Sequence, residues 1–139
     1  MARVLVVEDD PAIRQMLTFA LELEGHVVEA LGDGEQVVPT LAAAPERVVV
    51  LLDLMMPRVT GWEVCERLGA DPALAARHAV VIMSAGLTPE QRLPDVVRAA
   101  LLKPFNLITA LGLVERLAAE QVPDLCDVEA SANETPAHV

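Results

Sequence analysis

The stretch Val48-Val49-Val50-Leu51-Leu52-Asp53-Leu54-Met55-Met56-Pro57 decides how the rest of the chain is read. Five apolar residues, three of them β-branched, run without alternation into one carboxylate, and a proline follows four residues later. An unbroken run of this kind predicts a strand buried on both faces, as in the middle of a parallel sheet. Asp53 is then the place where that strand meets water.

Working outward, Val4-Leu5-Val6-Val7 is a second such run, closed by Glu8-Asp9-Asp10. Ala79 to Met83 is a third, ending at Ser84. Val27 to Ala30 is shorter, and Ala99 to Leu102 is weak and ends in Lys103-Pro104. Helical patterns lie between these runs. Pro11 suits a first helical position with Asp10 as its N-cap, and Ile13, Met16, Leu17, Ala20 and Leu21 recur at helical spacing until Gly25. Val37, Val38 and Leu41 mark a second helix capped from Asp33-Gly34, where Pro39 should kink it or shift its start. Gly61 to Leu68 carries Trp62, Cys65 and Leu68 on one stripe, and Gly69-Ala70-Asp71-Pro72 breaks it. Thr88-Pro89-Glu90-Gln91 has the form of a capping box, predicting a fourth helix that Pro94 cuts short. A last helix carries Leu107, Leu111, Val114 and Leu117/Ala118.

Strand alternates with helix five times, which calls for a doubly wound five-stranded parallel sheet flanked by five helices. Right-handed crossovers favour the strand order 2-1-3-4-5, which sets strands 1 and 3 side by side at the switch point. The expected organisation is one domain over residues 1–121 and an acidic, mobile tail over 122–139, with a short docking segment there as the lesser option.

The totals narrow the function classes. At 139 residues and 53% hydrophobic, the chain has ample material for one core. No apolar run approaches the roughly 18 residues of a membrane span, and Met1-Ala2-Arg3-Val4 lacks a signal-peptide pattern. A cytoplasmic protein with no membrane partner is expected. The net charge of −11 opposes direct binding of nucleic acid, and two phenylalanines, one tryptophan and no tyrosine supply little for base stacking. Cys65 and Cys126 lie far apart and read as ordinary thiols rather than a disulfide.

The carboxyl ends of the strands carry Glu8-Asp9-Asp10, Asp53, Ser84 and Lys103. Taken singly, each has a bland reading as a cap, a turn former or a surface group. Their arrival at one edge of one sheet is what points to function. Lys103 is the only lysine among ten basic residues, which suggests a need for a compact ammonium charge. Clustered carboxylates repel, and a hard divalent ion removes that cost; oxygen ligands suit Mg²⁺. Asp53 could then serve as an oxygen nucleophile for phosphoryl transfer, with Lys103 and the Ser84 hydroxyl neutralising phosphoryl oxygens.

These residues also carry a resemblance. Val-Val-Glu-Asp-Asp-Pro, Leu-Leu-Asp-Leu-Met-Met-Pro-x-x-x-Gly, Met-Ser-Ala and Leu-Leu-Lys-Pro-Phe, in that order between residue 3 and about residue 120, resemble the receiver domain of two-component response regulators. The resemblance implies a flavodoxin-like receiver fold with Asp53 as phosphoacceptor and Mg²⁺ held by Asp9 and Asp53, by Glu8 through water, and by the main-chain carbonyl of Met55. It gives Ser84 the switch hydroxyl position and Lys103 the phosphate-binding one. It further implies a sensor histidine kinase as phosphoryl donor, an unidentified output protein, and a surface that serves for phosphorylation-linked homodimers in the family. The domain is expected to be a signalling module, not an enzyme beyond its own phosphorylation and dephosphorylation, and to stand alone.

Two departures concern the readout. Ala100 occupies the position three before the lysine where the family commonly has Tyr or Phe, and the Ser84–Lys103 interval is shorter than usual. They keep open a receiver-like module that signals without phosphorylation. A Mg²⁺-dependent phosphohydrolase is the more remote alternative, because Met55 stands where such enzymes usually carry a general acid.

Overall fold

The structure, a computed structural model, describes residues 1–88 and 90–120. The tail expected over 122–139, and Cys126 within it, lie outside the described residues. Five strands, β1 (Arg3–Val7), β2 (Val27–Leu31), β3 (Val48–Asp53), β4 (Ala79–Ser84) and β5 (Val97–Leu102), form one parallel sheet in the order β2-β1-β3-β4-β5. That is the expected topology, and β3 is buried along its whole length.

Strand alternation sorts the core into two layers. Leu5, Val7, Val50, Leu52, Val80 and Ile82 point to one face. There they meet α2 (Val37–Ala43), α3 (Gly61–Gly69) and α4 (Pro72–Arg77) through Val37, Leu41, Val64, Cys65, Leu68 and Leu74. Val4, Val6, Val49, Leu51, Val81 and Met83 point to the other face, covered by α1 (Pro11–Leu23) and α5 (Leu107–Ala119). Each fully buried Val, Leu or Ile contributes roughly 1.5–3 kcal/mol by leaving water, so the three central strands anchor the domain.

Local signals set most helix ends. The Asp10 carboxylate accepts from the amides of Ala12 and Ile13 with Pro11 at the first helical position, as expected. Gly25 follows α1 at φ +90°, a conformation that glycine adopts without a Cβ penalty. Pro39 does not kink α2; the helix begins at Val37, so the proline lies in the first turn, where no amide is needed. Asp33 therefore caps a turn, accepting from the Glu35 amide, and not the helix. Of the stripe expected on α1, Leu17 and Leu21 are buried, Ile13 and Ala20 are half-buried and Met16 is exposed; Phe19 and Leu23, outside that stripe, are exposed too.

One helix stands elsewhere than expected. Among the described residues between Ser84 and Val97 there is no helix, and the fourth is α4, which precedes β4. Pro94 disfavours helical backbone at Leu93 and denies the segment one amide, leaving too little chain for a stable turn sequence. Asp71-Pro72 repeats the Asp10-Pro11 device instead, with the Asp71 carboxylate accepting from the Leu74 amide at 3.2 Å. Among the described residues no helix follows β4 to cover β5, and Ala100 and Leu102 are exposed there.

At the amino-terminal ends of the strands, two histidines do the same job. His26, just before β2, accepts the Ala2 amide on Nδ1 at 3.0 Å. His78, just before β4, accepts the Val48 amide on Nδ1 at 3.0 Å, and its Nε2 lies 3.1 Å from the Leu41 carbonyl. Each imidazole satisfies the first amide that the parallel ladder leaves over. Burial pushes the His78 pKa down, which matches a neutral ring that donates from Nε2 to Leu41. Arg47 closes the same end, donating to the carbonyls of Leu117 and Arg77. Among the described residues, no helix is long and apolar enough to cross a membrane.

Candidate functional site

The opposite end of the sheet is built differently. Glu8, Asp53, Ser84 and Lys103 follow or end β1, β3, β4 and β5, and register brings them together because β1 and β4 both pair with β3. Lys103 Nζ lies 2.9 Å from Glu8 Oε2 and 3.5 Å from Asp53 Oδ2, so one ammonium bridges two buried carboxylates. Asp9 is exposed beside them. Carboxylate oxygens of Glu8, Asp9 and Asp53 all lie within 4.8 Å of one another.

The electrostatics are unbalanced. Burial of Glu8 raises its pKa, its hydrogen bonds to Lys103 and to the Asp10 amide oppose that rise, and the Asp53 charge adds to it. Burial disfavours the Lys103 ammonium, yet the Glu8 hydrogen bond and the Asp53 charge prevail and raise its pKa. A single cation among three carboxylates leaves the site short of positive charge. The donor set fits a small hard cation, since opposite ligands of an octahedral Mg²⁺ stand about 4 Å apart and all are oxygens.

Each partner is held by its own element. Asp53 Oδ1 accepts the Met55 amide at 3.2 Å, while the Met55 side chain is 72% exposed, so Met55 faces the site through its main chain. Ser84 Oγ accepts the Gly86 amide at 3.1 Å, which leaves its own proton free to donate, and the Ser84 carbonyl accepts the Lys103 amide at 2.9 Å. Ala100 is exposed and presents no aromatic ring. Glu8, Asp9, Asp53 and Lys103 thus meet in one strand-end cluster, while Ser84 and Met55 stand at the same edge, joined to it through main-chain hydrogen bonds.

Three further residues support the site. Gly61, the glycine of the proline–x–x–x–glycine motif and the start of α3, lies so close that a Cβ would stand 2.5 Å from the Asp53 carbonyl oxygen and 2.7 Å from Leu54 Cα. Its amide donates to the Leu54 carbonyl at 3.1 Å, which folds the acceptor loop back on the strand. Arg14 reaches back from α1 and donates to the Glu8 carbonyl at 2.7 Å, fixing the acidic segment. Arg58, at φ 65°, pairs with Asp33 and ties the loop after β3 to the loop after β2. The proline–x–x–x–glycine spacing was a signal for Gly61; Arg14 and Arg58 carry none.

The response regulator receiver domain matches residues 4–111. This chain belongs to the response regulator receiver family. The receiver is 37% identical over 88% of its length to the response regulator MprA of Mycolicibacterium vanbaalenii, covering 52% of that protein. It is 29% identical over 98% of its length to the DNA-binding dual master transcriptional regulator RpaA of Synechocystis, covering 58% of it. The chain therefore spans about half the length of these relatives. Among solved structures, the receiver resembles the chemotaxis protein CheY4 of Vibrio cholerae, with a TM-score of 0.73 and 29% identity over 84% of this chain and 98% of that one. It also resembles the response regulator TrrA of Thermotoga maritima in complex with Mg²⁺ and BeF, with a TM-score of 0.70 and 25% identity over 84% of this chain and 99% of that one.

Proposed function

We propose that the receiver accepts a phosphoryl group on Asp53 from a sensor histidine kinase, and that Asp9, Asp53, Glu8 and the Met55 carbonyl hold the Mg²⁺ that the reaction needs. The observation that carries this reading is the bridging of Glu8 and Asp53 by Lys103 beside three mutually close carboxylates. An Asp53 oxygen attacks phosphorus, the new O–P bond forms as the donor's P–N bond breaks, and the departing imidazole takes a proton from water. Bound Mg²⁺ supplies charge neutralisation. Lys103 offers its ammonium to the phosphoryl oxygens in place of one carboxylate, and the free Ser84 proton offers a hydrogen bond.

The reading makes the domain a cytoplasmic signalling module whose chemistry is confined to its own phosphorylation and dephosphorylation. Turnover of an external phosphomonoester is disfavoured because the Met55 thioether has no acidic proton to give a leaving group. Residues 1–121 form the receiver unit, and output passes to another protein or domain. The outer face of α1, with Phe19 65% and Leu23 72% exposed, is the kind of apolar surface that a protein partner covers. Ten basic against 21 acidic residues leave nucleic acid out of its direct partners.

A second reading, signalling without phosphorylation, draws on Ala100 and on the connection between β4 and β5, which has no helix among its described residues. Acetyl phosphate with Mg²⁺ separates the two: mass spectrometry should find one added phosphoryl group on the wild type and none on Asp53→Asn. Equal labelling of the variant would sink the assignment of Asp53. Failure of Mg²⁺ to bind at millimolar concentration would favour the second reading.

A further inference from the structure

We propose that Arg14 is a positioning residue for the metal site: it clamps the two peptide planes that flank Asp9 and so sets the direction in which the Asp9 carboxylate leaves the main chain. The inference rests on the Mg²⁺ site proposed above and concerns a residue outside the carboxylate cluster.

Glu8, Asp9 and Asp10 are three acids in succession just past the end of β1, and their like charges repel. Arg14 reaches back to them from α1. Its Nη1 donates to the Glu8 carbonyl at 2.7 Å and, at the longer distance of 3.4 Å, to the Asp9 carbonyl. One of these carbonyls precedes the Asp9 Cα and the other follows it. The guanidinium is half-buried and seated against the end of β2, where a Cβ added to Gly32 would stand 3.3 Å from Nη1. The Glu8 amide donates to the Leu31 carbonyl at 3.1 Å, so the segment and its clamp share that support.

Among the described residues no ion pair includes Arg14, even beside three consecutive carboxylates. Its donors go to carbonyls, which leaves the acids their charge for a cation. The Glu8 carboxylate is oriented without this help, by the Asp10 amide at 3.2 Å and by Lys103 Nζ at 2.9 Å. The exposed Asp9 carboxylate has no hydrogen bond among the described residues, so its main chain alone directs it toward Glu8 and Asp53. Charge and position then predict opposite signs. A cation beside the site repels Mg²⁺, so by charge alone its removal tightens binding. By position its removal weakens binding, and groups that orient a metal ligand are worth about tenfold or more in affinity.

Calorimetric titration of the full 139-residue chain with Mg²⁺ reads that sign. Arg14→Gln should weaken binding about tenfold. Arg14→Lys keeps the charge without the planar fork and should fall between that variant and the wild type. In the metal-free proteins, hydrogen exchange in a peptide covering residues 8–10 should be faster in Arg14→Gln, with α5 peptides unchanged. Equal or tighter Mg²⁺ binding by Arg14→Gln overturns the proposal alone. A rise in exchange that extends to α5 overturns it too, because the weaker binding then reflects a loosened fold. Wild type that binds no Mg²⁺ at millimolar concentration overturns the metal site itself, and this inference with it.

Discussion

The two ends of this sheet solve opposite problems with the same backbone. At the amino-terminal end, His26 and His78 accept amides that the ladders leave over, and Arg47 and His78 donate to leftover carbonyls. At the carboxyl end, Glu8, Asp9 and Asp53 crowd around one ammonium and remain short of positive charge. The first end holds the domain together. The second stores an electrostatic imbalance that a cation or a phosphoryl group can act on. Burial of a charged group stabilises only where its partners balance it, and at the carboxyl end that balance is withheld.

The largest expected effect joins the two roles. Gly61→Ala puts a Cβ against the backbone of Asp53 and Leu54, and overpacking of backbone by backbone-fixed atoms should cost about 3 kcal/mol. Urea unfolding checks this; a loss below about 0.5 kcal/mol would show that the acceptor loop gives way freely. His78→Phe strands the Val48 amide and the Leu41 carbonyl and should cost about 2 kcal/mol at pH 7.5.

That second variant also carries a pH signature. Folded His78 binds its proton less readily than the ordinary imidazole value of 6.5, because burial opposes the charge. The unfolded chain therefore takes up the proton first as pH falls below 6.5, and the His78 contribution, complete above that value, is lost progressively toward the lower folded value. The gap between wild type and His78→Phe should narrow between pH 7.5 and 5.5. A gap of constant size would show that His78 does not titrate with unfolding.

At the other end, Mg²⁺ at ten times its dissociation constant should stabilise the wild type by about 1.4 kcal/mol. Asp9→Asn should lose most of that increment while leaving the metal-free protein near wild type, since Asp9 is exposed. Thermal melts with and without Mg²⁺ read both. An undiminished increment in the variant would move the ion away from Asp9. The smallest effect is expected for Arg58→Ala, where loss of an exposed pair with Asp33 should cost about 0.5 kcal/mol or less in the same melts.

Where sequence and structure part, the reasons are local against distant. Asp71-Pro72 carries the same signal as Asp10-Pro11, yet next to Gly69 it reads as a breaker, and it starts α4. Thr88 and Gln91 have capping-box spacing, but Pro94 leaves no room to propagate a helix. Leu107, Leu111 and Ala118 are only half-buried beside the buried Ala110, Val114 and Leu117, a rotation of about one residue on α5. Met16 fits the helical spacing of α1 and still faces solvent, because spacing gives a stripe its width only when the neighbouring layer is known.

Near neighbours along the chain dictate the local features of this protein. Unbroken apolar runs make strands that both faces bury, proline and aspartate start helices, and a residue at a strand end must face the sheet's carboxyl edge. From those rules came the strand order and the meeting of Glu8, Asp9, Asp53, Ser84 and Lys103. How they meet is set by the packed fold: Lys103 bridges Glu8 and Asp53, Arg14 fixes the acidic segment, and Gly61 must have no side chain. Such contacts join residues as far apart as Glu8 and Lys103, where no periodicity reaches and only the packing of the layers sets a distance.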